Sequence, residues 1–441
     1  MSIDCEKFDS FDAEIRSNAL KAFAAEYAAK DVKIIPDNNM HCHTFYSYNG
    51  YGYSPAHVVA IAKEKGFYAT GKVDFDVLDG LEEFLEAGKI LNVRTCGGVE
   101  SRVVISEMLN EVINSPGEPG IAYHLGVGFT SETLPAKAAE FLAKMKQAAA
   151  DRTYGIVQKV NPALAPASLD FEKDVLPLTP AGNATERHVC AAYAAKAEEL
   201  FPCEEKRAAF WAEKLSLDPA KAAALVKDTV KLQGEIRSKM MKKGGPGYVT
   251  PDPKSFPRIE DMNEFTISCG AIPSVAWLNG ESDGEKDPER LLDLHESKGA
   301  AAFNLIPDRN WNFADPAVKE AKVSKMHAIL DACIKRDLPV FAGTELNAYG
   351  QKIVDDFSEP ALAKYMDEFK NGAALLSAHT ILAPRGAGYL SAWAEKNFAT
   401  RKEKNAFFVN FGKKILPAAG AKLYGDLSNM TPEEILALAG A

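Results

Sequence analysis

The sequence predicts an α/β protein: a barrel of strands and helices that carries a helical insertion and a helical C-terminal region. Short apolar runs alternate with helical segments of about 10–15 residues over 32–129 and 273–343, which is typical of βα units and a parallel sheet. Residues 130–257 break this alternation, because they are rich in Ala, Lys and Glu at helical spacing. From residue 359 onward the pattern is again mainly helical.

Each predicted strand is a short apolar run between polar or turn-forming residues. The seven candidates lie at 32–40, 67–73, 92–99, 121–127, 273–278, 300–306 and 338–343. We therefore assign 1–129 and 258–350 to the barrel, 130–257 to the insertion, and 351–441 to a helical region packed on the barrel. The Gly- and Pro-rich stretch 242–257 is typical of a linker.

Capping residues mark one helix of the barrel clearly. Ser54 is a good N-cap and Pro55 suits a first helical turn. Gly66 is the expected C′ glycine, so a helix is predicted between them. Residues 11–30 predict a further, Ala-rich outer helix.

Composition restricts the possible classes of protein. The 441 residues are 46% hydrophobic and 25% charged, as in an ordinary soluble globular protein. The formal net charge of −10 argues against binding to nucleic acid or to anionic lipid. No membrane span or secretory signal is recognisable, and seven cysteines without a CxxC pair predict free thiols. We expect a cytoplasmic protein with no nucleic-acid or membrane partner, and a homo-oligomer stays open.

Two histidines close the first predicted strand. His41 and His43 follow an apolar, β-branched run, and side chains at i and i+2 of a strand point to the same side. Both imidazoles can therefore reach one metal ion. A pair of ordinary, partly buried histidines is the alternative that this motif alone leaves open.

Other polar residues fall within, after or at the ends of different predicted strands. In a closed barrel these ends converge on one face, so the residues would meet there. Imidazoles and carboxylates suit Zn, Mn or Fe(II). The set comprises Asp74, Asp76, Glu100, His124, Glu345 and Asn347.

These motifs resemble the polymerase and histidinol phosphatase (PHP) family. The segment 39–84 is similar to the opening motifs of the family, GGVES at 97–101 to its third motif, and AYHLGVGF at 122–129 to its next histidine motif. FAGTELNAY at 341–349 stands where the family has its last element. The resemblance implies a distorted (β/α)7 TIM-like barrel and metal-dependent hydrolysis of phosphoesters, commonly with up to three metal ions.

The chain departs from the family pattern at several ligand positions. Tyr48, Phe75, Trp277 and Asn347 stand where the resemblance leads us to expect ligands. The resemblance therefore implies a reduced metal shell, and one ion of Zn, Mn or Fe is favoured over two. The predicted ligands are His41, His43, Glu100 and Glu345. His124 is assigned to acid–base chemistry or to a second ion, with a core histidine as the alternative.

Further residues are assigned to the reaction or to the substrate. Asp74 is predicted to be catalytic, with helix capping as the alternative. Arg187 and His188, in a segment similar to an element of some PHP proteins, are predicted to bind substrate; a capped helix start is the alternative. Arg385, in a glycine-rich loop, is a candidate phosphate clamp.

The sequence thus predicts a metal-dependent hydrolase that acts on a small phosphorylated molecule. A catalytically degenerate barrel that binds a ligand or serves a structural role is the first alternative. Hydrolysis of a C–N or C–O bond, as in amidohydrolases, is the second.

Overall fold

Seven strands form one sheet that is nearly closed into a barrel. The computed structural model describes residues 3–249 and 255–439. The strands follow one another around the sheet in chain order, and a parallel bridge between Cys42 and Glu345 links the first to the last. The predicted barrel is confirmed. Its strands are β1 (Asn38–Cys42), β2 (Ala69–Phe75), β3 (Arg94–Val104), β4 (Ile121–Phe129), β5 (Ile272–Trp277), β6 (Ala302–Leu305) and β7 (Val340–Ala342).

One strand runs against the others, and here the prediction of a parallel sheet is wrong. β4 is antiparallel to both β3 and β5, whereas the remaining pairs are parallel. Parallel neighbours need a crossover, usually a helix. Between β3 and β4 the only helical element is the 3₁₀ turn Ser106–Met108, so the chain returns in the opposite direction.

Helices surround the barrel, and the helix Pro55–Lys65 begins and ends at the predicted capping residues. The Ser54 hydroxyl accepts a hydrogen bond from the backbone N–H of His57, and Gly66 ends that helix with a φ of 70°. The helices before the insertion are α1 (Cys5–Phe8), α2 (Ala13–Tyr27), α3 (Pro55–Lys65) and α4 (Leu81–Leu91). Those after it are α10 (Ile259–Ser268), α11 (Pro288–Ser297), α12 (Asp308–Trp311) and α13 (Pro316–Lys335).

A second compact unit comprises 45–48 and 142–255. It is helical and has its own apolar core, which includes Val160, Tyr193, Trp211 and Ile236. Its helices are α5 (Ala136–Leu164), whose first turns count with the barrel unit, α6 (Glu186–Leu200), α7 (Glu204–Lys214), α8 (Pro219–Leu225) and α9 (Thr229–Ile236). Residues 250–254 of the predicted linker lie outside the described residues.

The C-terminal helices belong to the barrel unit. α15 contacts β1, β2, β3, β4 and β7, at the end where the parallel strands begin. Gly372 permits this approach, since a Cβ there would lie 1.9 Å from the carbonyl oxygen of Val340. These helices are α14 (Pro360–Ala363), α15 (Met366–Leu382), α16 (Ala392–Asn397), α17 (Arg401–Lys414), α18 (Pro417–Gly420) and α19 (Pro432–Leu438).

All seven cysteines are free thiols, as predicted. Among the residues 3–249 and 255–439, no helix is both long and apolar enough to cross a bilayer.

Candidate metal centre

Three buried side chains converge at the end of β1 and in the middle of β3, where Glu100 lies opposite Phe75, the last residue of β2. His41 and His43 point to the same side of the chain, and their Nε2 atoms are 3.4 Å apart. The Oε2 atom of Glu100 lies 3.0 Å from Nε2 of His43 and 3.6 Å from Nε2 of His41. The three residues are at most 5% exposed. They form a candidate metal site. Among the described residues, this is the group of His, Cys, Asp and Glu side chains whose possible ligand atoms all lie within 4.8 Å of one another.

The separations suit a bound ion. Ligand atoms about 2.0–2.1 Å from a tetrahedral ion lie about 3.3 Å from one another. Glu100 Oε2 is buried and has no well-directed hydrogen bond from any described residue, so its lone pairs are available. Three protein ligands leave a fourth position for water or substrate, which is the arrangement of catalytic zinc sites.

The charges in the cluster reinforce one another. Burial alone would raise the pKa of Glu100, but its contacts with His41 and His43 outweigh burial and hold that pKa at about 2. Burial lowers the pKa of His41, whereas Glu100, Glu345 and Asn304 raise it by more, so the net change is upward. The carboxylate is therefore ionised at neutral pH and ready to bind a cation.

Asn304 in β6 orients His41. Its Oδ1 atom lies 2.9 Å from Nδ1 of His41, and its amide nitrogen faces the carbonyl oxygen of Phe341. The amide oxygen accepts a hydrogen bond from Nδ1–H, which leaves the Nε2 lone pair directed at the cluster. Asn304 was not predicted from the sequence, although a polar residue inside the apolar run AFNLI was a signal for it.

Asp74 supports the chain next to His43. Its carboxylate accepts hydrogen bonds of 2.7 Å from the backbone N–H and the hydroxyl of Thr44. It also pairs with Nζ of Lys72 at 2.7 Å, and both side chains are fully buried. Helix α4 has Gly80, not an aspartate, at its N-cap. In this position Asp74 fixes the turn after His43. Its predicted catalytic role stays a prediction.

Glu345 lies beside the cluster with its carboxylate turned to other partners. Its backbone bridges β1, since its N–H donates to the carbonyl of His41 and its carbonyl accepts from the N–H of His43. Its carboxylate pairs with Arg309 at 2.6 Å and accepts a hydrogen bond from Asn347. The carboxylate of Glu345 thus contacts Arg309 and Asn347 and not the three clustered side chains, and its role as a metal ligand stays a prediction.

The structure places His124 away from the cluster, on the opposite side of β4. It lies opposite Ser101 in the β3–β4 register, whereas Glu100 lies opposite Leu125. Its Nε2 atom is 2.6 Å from Oδ1 of Asn263 in α10. Because successive residues of a strand face opposite sides, His124 faces the helices, which corrects its assignment to the site.

Tyr123, the preceding residue, faces the side that His124 does not. Burial raises the pKa of its phenol to about 12; the nearby charge of Arg102 lowers that pKa, whereas Glu100 and Glu345 raise it. It lies opposite Arg102 in the register, and Arg102 pairs with Glu118 at 2.9 Å. Neither Tyr123 nor Arg102 was predicted from the sequence. For Tyr123 the reason is that alternation within AYHLGV allows either Tyr123 or His124 to face the interior.

The predicted substrate-binding residues have partners within their own parts of the chain. Arg187 and His188 lie in the first turn of α6 in the second unit, where Thr185 and His188 form a capping box, as the alternative of a capped helix start predicts. The guanidinium of Arg187 lies 5.6 Å from the ring of Tyr48. Arg385 donates to the carbonyl oxygens of Ile381, Gly420 and Leu423 in the C-terminal region. In these contacts the side chains stabilise the local structure. Substrate binding by Arg187, His188 and Arg385 stays a prediction.

An aromatic ring fills one position where the family pattern predicts a ligand. The ring centroid of Phe75 lies 4.3 Å from that of His43. Trp277 is buried in the apolar core around β5 and β6. Neither side chain can bind a metal ion, so the cluster rests on the two histidines and Glu100.

Comparison with known proteins supports the fold. No protein-family model matches the chain, and no curated protein matches it. An amidohydrolase of known structure from Chromobacterium violaceum, with bound sulfate and no metal, shares 16% identity at a TM-score of 0.50, over 75% of this chain and 96% of that one. A protein provisionally designated a metal-dependent phosphoesterase, from Bifidobacterium adolescentis, gives 15% and 0.47, with the same coverage of both chains. The first likeness shows a shared fold.

Proposed function

We propose that this protein is a metal-dependent hydrolase of small phosphate monoesters. The observation that carries the proposal is the convergence of His41, His43 and Glu100, with ligand atoms 3.0–3.6 Å apart in a buried site. A bound divalent ion would supply Lewis acidity and lower the pKa of water. The protein holds that ion through two imidazoles and one carboxylate, a donor set that suits Zn, Mn or Fe(II).

Arg309 is the residue proposed to bind the anionic group of the substrate. Its side chain is 41% exposed, and its guanidinium reaches Glu345 next to the cluster. Guanidinium groups bind phosphate oxygens in a bidentate manner. A phosphate that enters the site would compete with Glu345 for this guanidinium, and Glu345 would then be released toward the metal ligands.

Tyr123 is proposed to donate a hydrogen bond to the substrate. With a pKa of about 12, its phenol keeps its proton at neutral pH. It lies within electrostatic range of Glu100 and Glu345, on the interior face of β4. A phenol in this position donates to an oxygen of a bound anion, and the neighbouring charge of Arg102 adds to the attraction.

The test is hydrolysis by the full chain after loading with Zn²⁺ or Mn²⁺. Release of inorganic phosphate is measured with p-nitrophenyl phosphate and a panel of sugar and nucleoside monophosphates. We expect kcat/KM to fall by more than about a hundredfold in Glu100→Gln. Such a decrease is larger than the usual effect of replacing a residue that only supports a metal ligand. Arg309→Met should raise KM more than it lowers kcat.

Glu359→Gln is the matched control, because this carboxylate pairs with Lys319 in α13, a residue that has no part in the proposed site. It should leave kcat/KM unchanged. Phosphate release that persists in Glu100→Gln, or no release from any ester, would contradict the proposal. Hydrolysis of N-acyl amino acids or lactones in place of phosphate esters would favour the amidohydrolase alternative. Binding of phosphate esters without turnover would favour a degenerate barrel.

A further inference from the structure

A small cavity lies at the end of the barrel opposite the candidate metal centre. Its volume is about 80 Å³, and its wall comes from the residues that precede or begin β1, β2 and β3, together with Leu416 after α17. Arg94 begins β3 and Glu100 lies six residues along the same strand, a separation of about 20 Å. The cavity is therefore a separate site.

A buried cation lines this cavity without a carboxylate partner. Arg94 is 5% exposed, and its Nε and Nη2 atoms donate to the carbonyl oxygens of Gly412 and Lys413 at 2.8 and 3.1 Å. Its guanidinium lies 4.2 Å from the ring of Tyr68. No carboxylate among residues 3–249 and 255–439 makes an ion pair with it. Buried arginines are normally paired, so this charge is available to a ligand.

The surroundings add positive charge and one further polar atom. Lys63 also lines the cavity, and Nζ of Lys370 lies 5.2 Å from the ring of Tyr68. Neither lysine forms an ion pair within the described part of the chain. The buried hydroxyl of Tyr68 makes no hydrogen bond to any described residue. The rest of the wall is largely apolar and includes Ile34 and Val93.

We infer that this cavity binds a short-chain aliphatic monocarboxylate, of the size of acetate or propionate. The carboxylate would bind Arg94 and accept a hydrogen bond from the Tyr68 hydroxyl, while the alkyl group would pack on Ile34 and Leu416. Size supports this class, because a buried water needs about 10–15 Å³, so 80 Å³ holds a molecule of only a few heavy atoms. The inference is independent of the hydrolase activity.

The test is titration of the full chain with sodium propionate by calorimetry, at constant ionic strength, with chloride as the reference anion. We expect saturable binding of propionate that chloride does not reproduce. Tyr68→Phe should weaken binding by about tenfold, because a hydrogen bond to a charged group is lost. Ile34→Trp, at an exposed position of the wall, should fill the cavity and abolish binding.

Both variants leave the contacts of Arg94 with the C-terminal region in place, so they are expected to fold. Glu100→Gln is the matched control and should bind propionate as tightly as the wild type does. A crystal soaked in 3-bromopropionate should show anomalous density in the cavity, on the side of Ile34 and Leu416. The inference is overturned if propionate and chloride act alike, if Tyr68→Phe and Ile34→Trp bind as the wild type does, or if the bromine lies elsewhere.

Discussion

The ring of His41 is held from two directions. Asn304 accepts a hydrogen bond from one ring nitrogen, and the other ring nitrogen faces His43 and Glu100. The first contact decides which tautomer is present, and therefore whether the second nitrogen offers a lone pair. The amide of Asn304 thus acts on metal binding without touching the ion.

Replacement of Asn304 tests this dependence. Asn304→Ala should weaken metal affinity by about 10–100-fold, because the imidazole loses its orientation and tautomer. Isothermal titration with Zn²⁺ measures the change. Asn312→Ala, at an exposed position, is the matched control and should leave affinity intact. Equal affinities in the wild type and both variants would show that Asn304 does not orient the ring.

Asp74 gives a second test on single residues. Asp74→Asn should lower the free energy of unfolding by about 3–5 kcal/mol, because the ammonium of Lys72 is left buried and uncompensated. Urea unfolding measures the loss. The double variant Lys72→Met with Asp74→Asn should recover much of it, since no buried charge then remains. If the double variant were less stable than Asp74→Asn, the ion pair would not be the cause.

At the scale of elements, the site depends on how closely β1 and β7 approach. Thr344, just after β7, donates its backbone N–H to Oδ1 of Asn39, and the amide of Asn39 donates to the Thr344 hydroxyl. A Cβ at Gly343 would lie 2.3 Å from the Cβ of His41. Only glycine permits this closure of the barrel beside a metal ligand.

A methyl group at Gly343 should therefore disturb fold and site together. Gly343→Ala is expected to lower the free energy of unfolding by about 1–3 kcal/mol through overpacking, and to reduce metal affinity by displacing His41. Chemical denaturation and metal titration measure the two effects. Gly155→Ala in α5 is the control: its Cβ meets open space, so stability should rise by up to about 1 kcal/mol. Normal metal affinity in Gly343→Ala would contradict this account.

The sequence located the strands but not all of their directions. Apolar runs mark β2, β5 and β6 to within two residues, because buried strands need apolar side chains. β1 begins at Asn38, later than predicted, and the preceding Ile34 is 50% exposed. The direction of β4 depends on how its connections pack in three dimensions, which a local pattern does not record.

The same limit applies to the site. His41, His43 and Glu100 were predictable, because each follows a predicted strand and belongs to a motif. His124 and Tyr123 were not separable, since alternation leaves the phase of a buried strand undetermined. The ion pair of Glu345 with Arg309 was also not predictable, because Arg309 approaches it from a different connection of the barrel.

For the whole molecule, buried neutral histidines make stability depend on pH. Burial lowers the pKa of His124 and of His379 to about 4, and that of His295 to about 3. In the unfolded chain these rings bind protons below about pH 6.5. The unfolded state then binds more protons than the folded state, so stability is complete above pH 6.5 and is lost as the pH falls.

We expect the free energy of unfolding to fall by about 2 kcal/mol per histidine between pH 6.5 and 4.5. His41, whose pKa is raised, adds no slope in this range. Urea unfolding at several pH values measures this fall in the free energy of unfolding. In His124→Gln the fall should be smaller by the contribution of one histidine. Stability that is constant over this range would show that the three rings are not held neutral.

The most direct test of the central claim is a Co²⁺ titration of the full chain, followed by its visible absorption. We predict one equivalent bound with the spectrum of a four-coordinate site, and loss of that equivalent in both His41→Asn and Glu100→Gln. Glu359→Gln should bind as the wild type does. Absence of stoichiometric binding, or the same binding in Glu100→Gln, would contradict a metal centre at His41, His43 and Glu100.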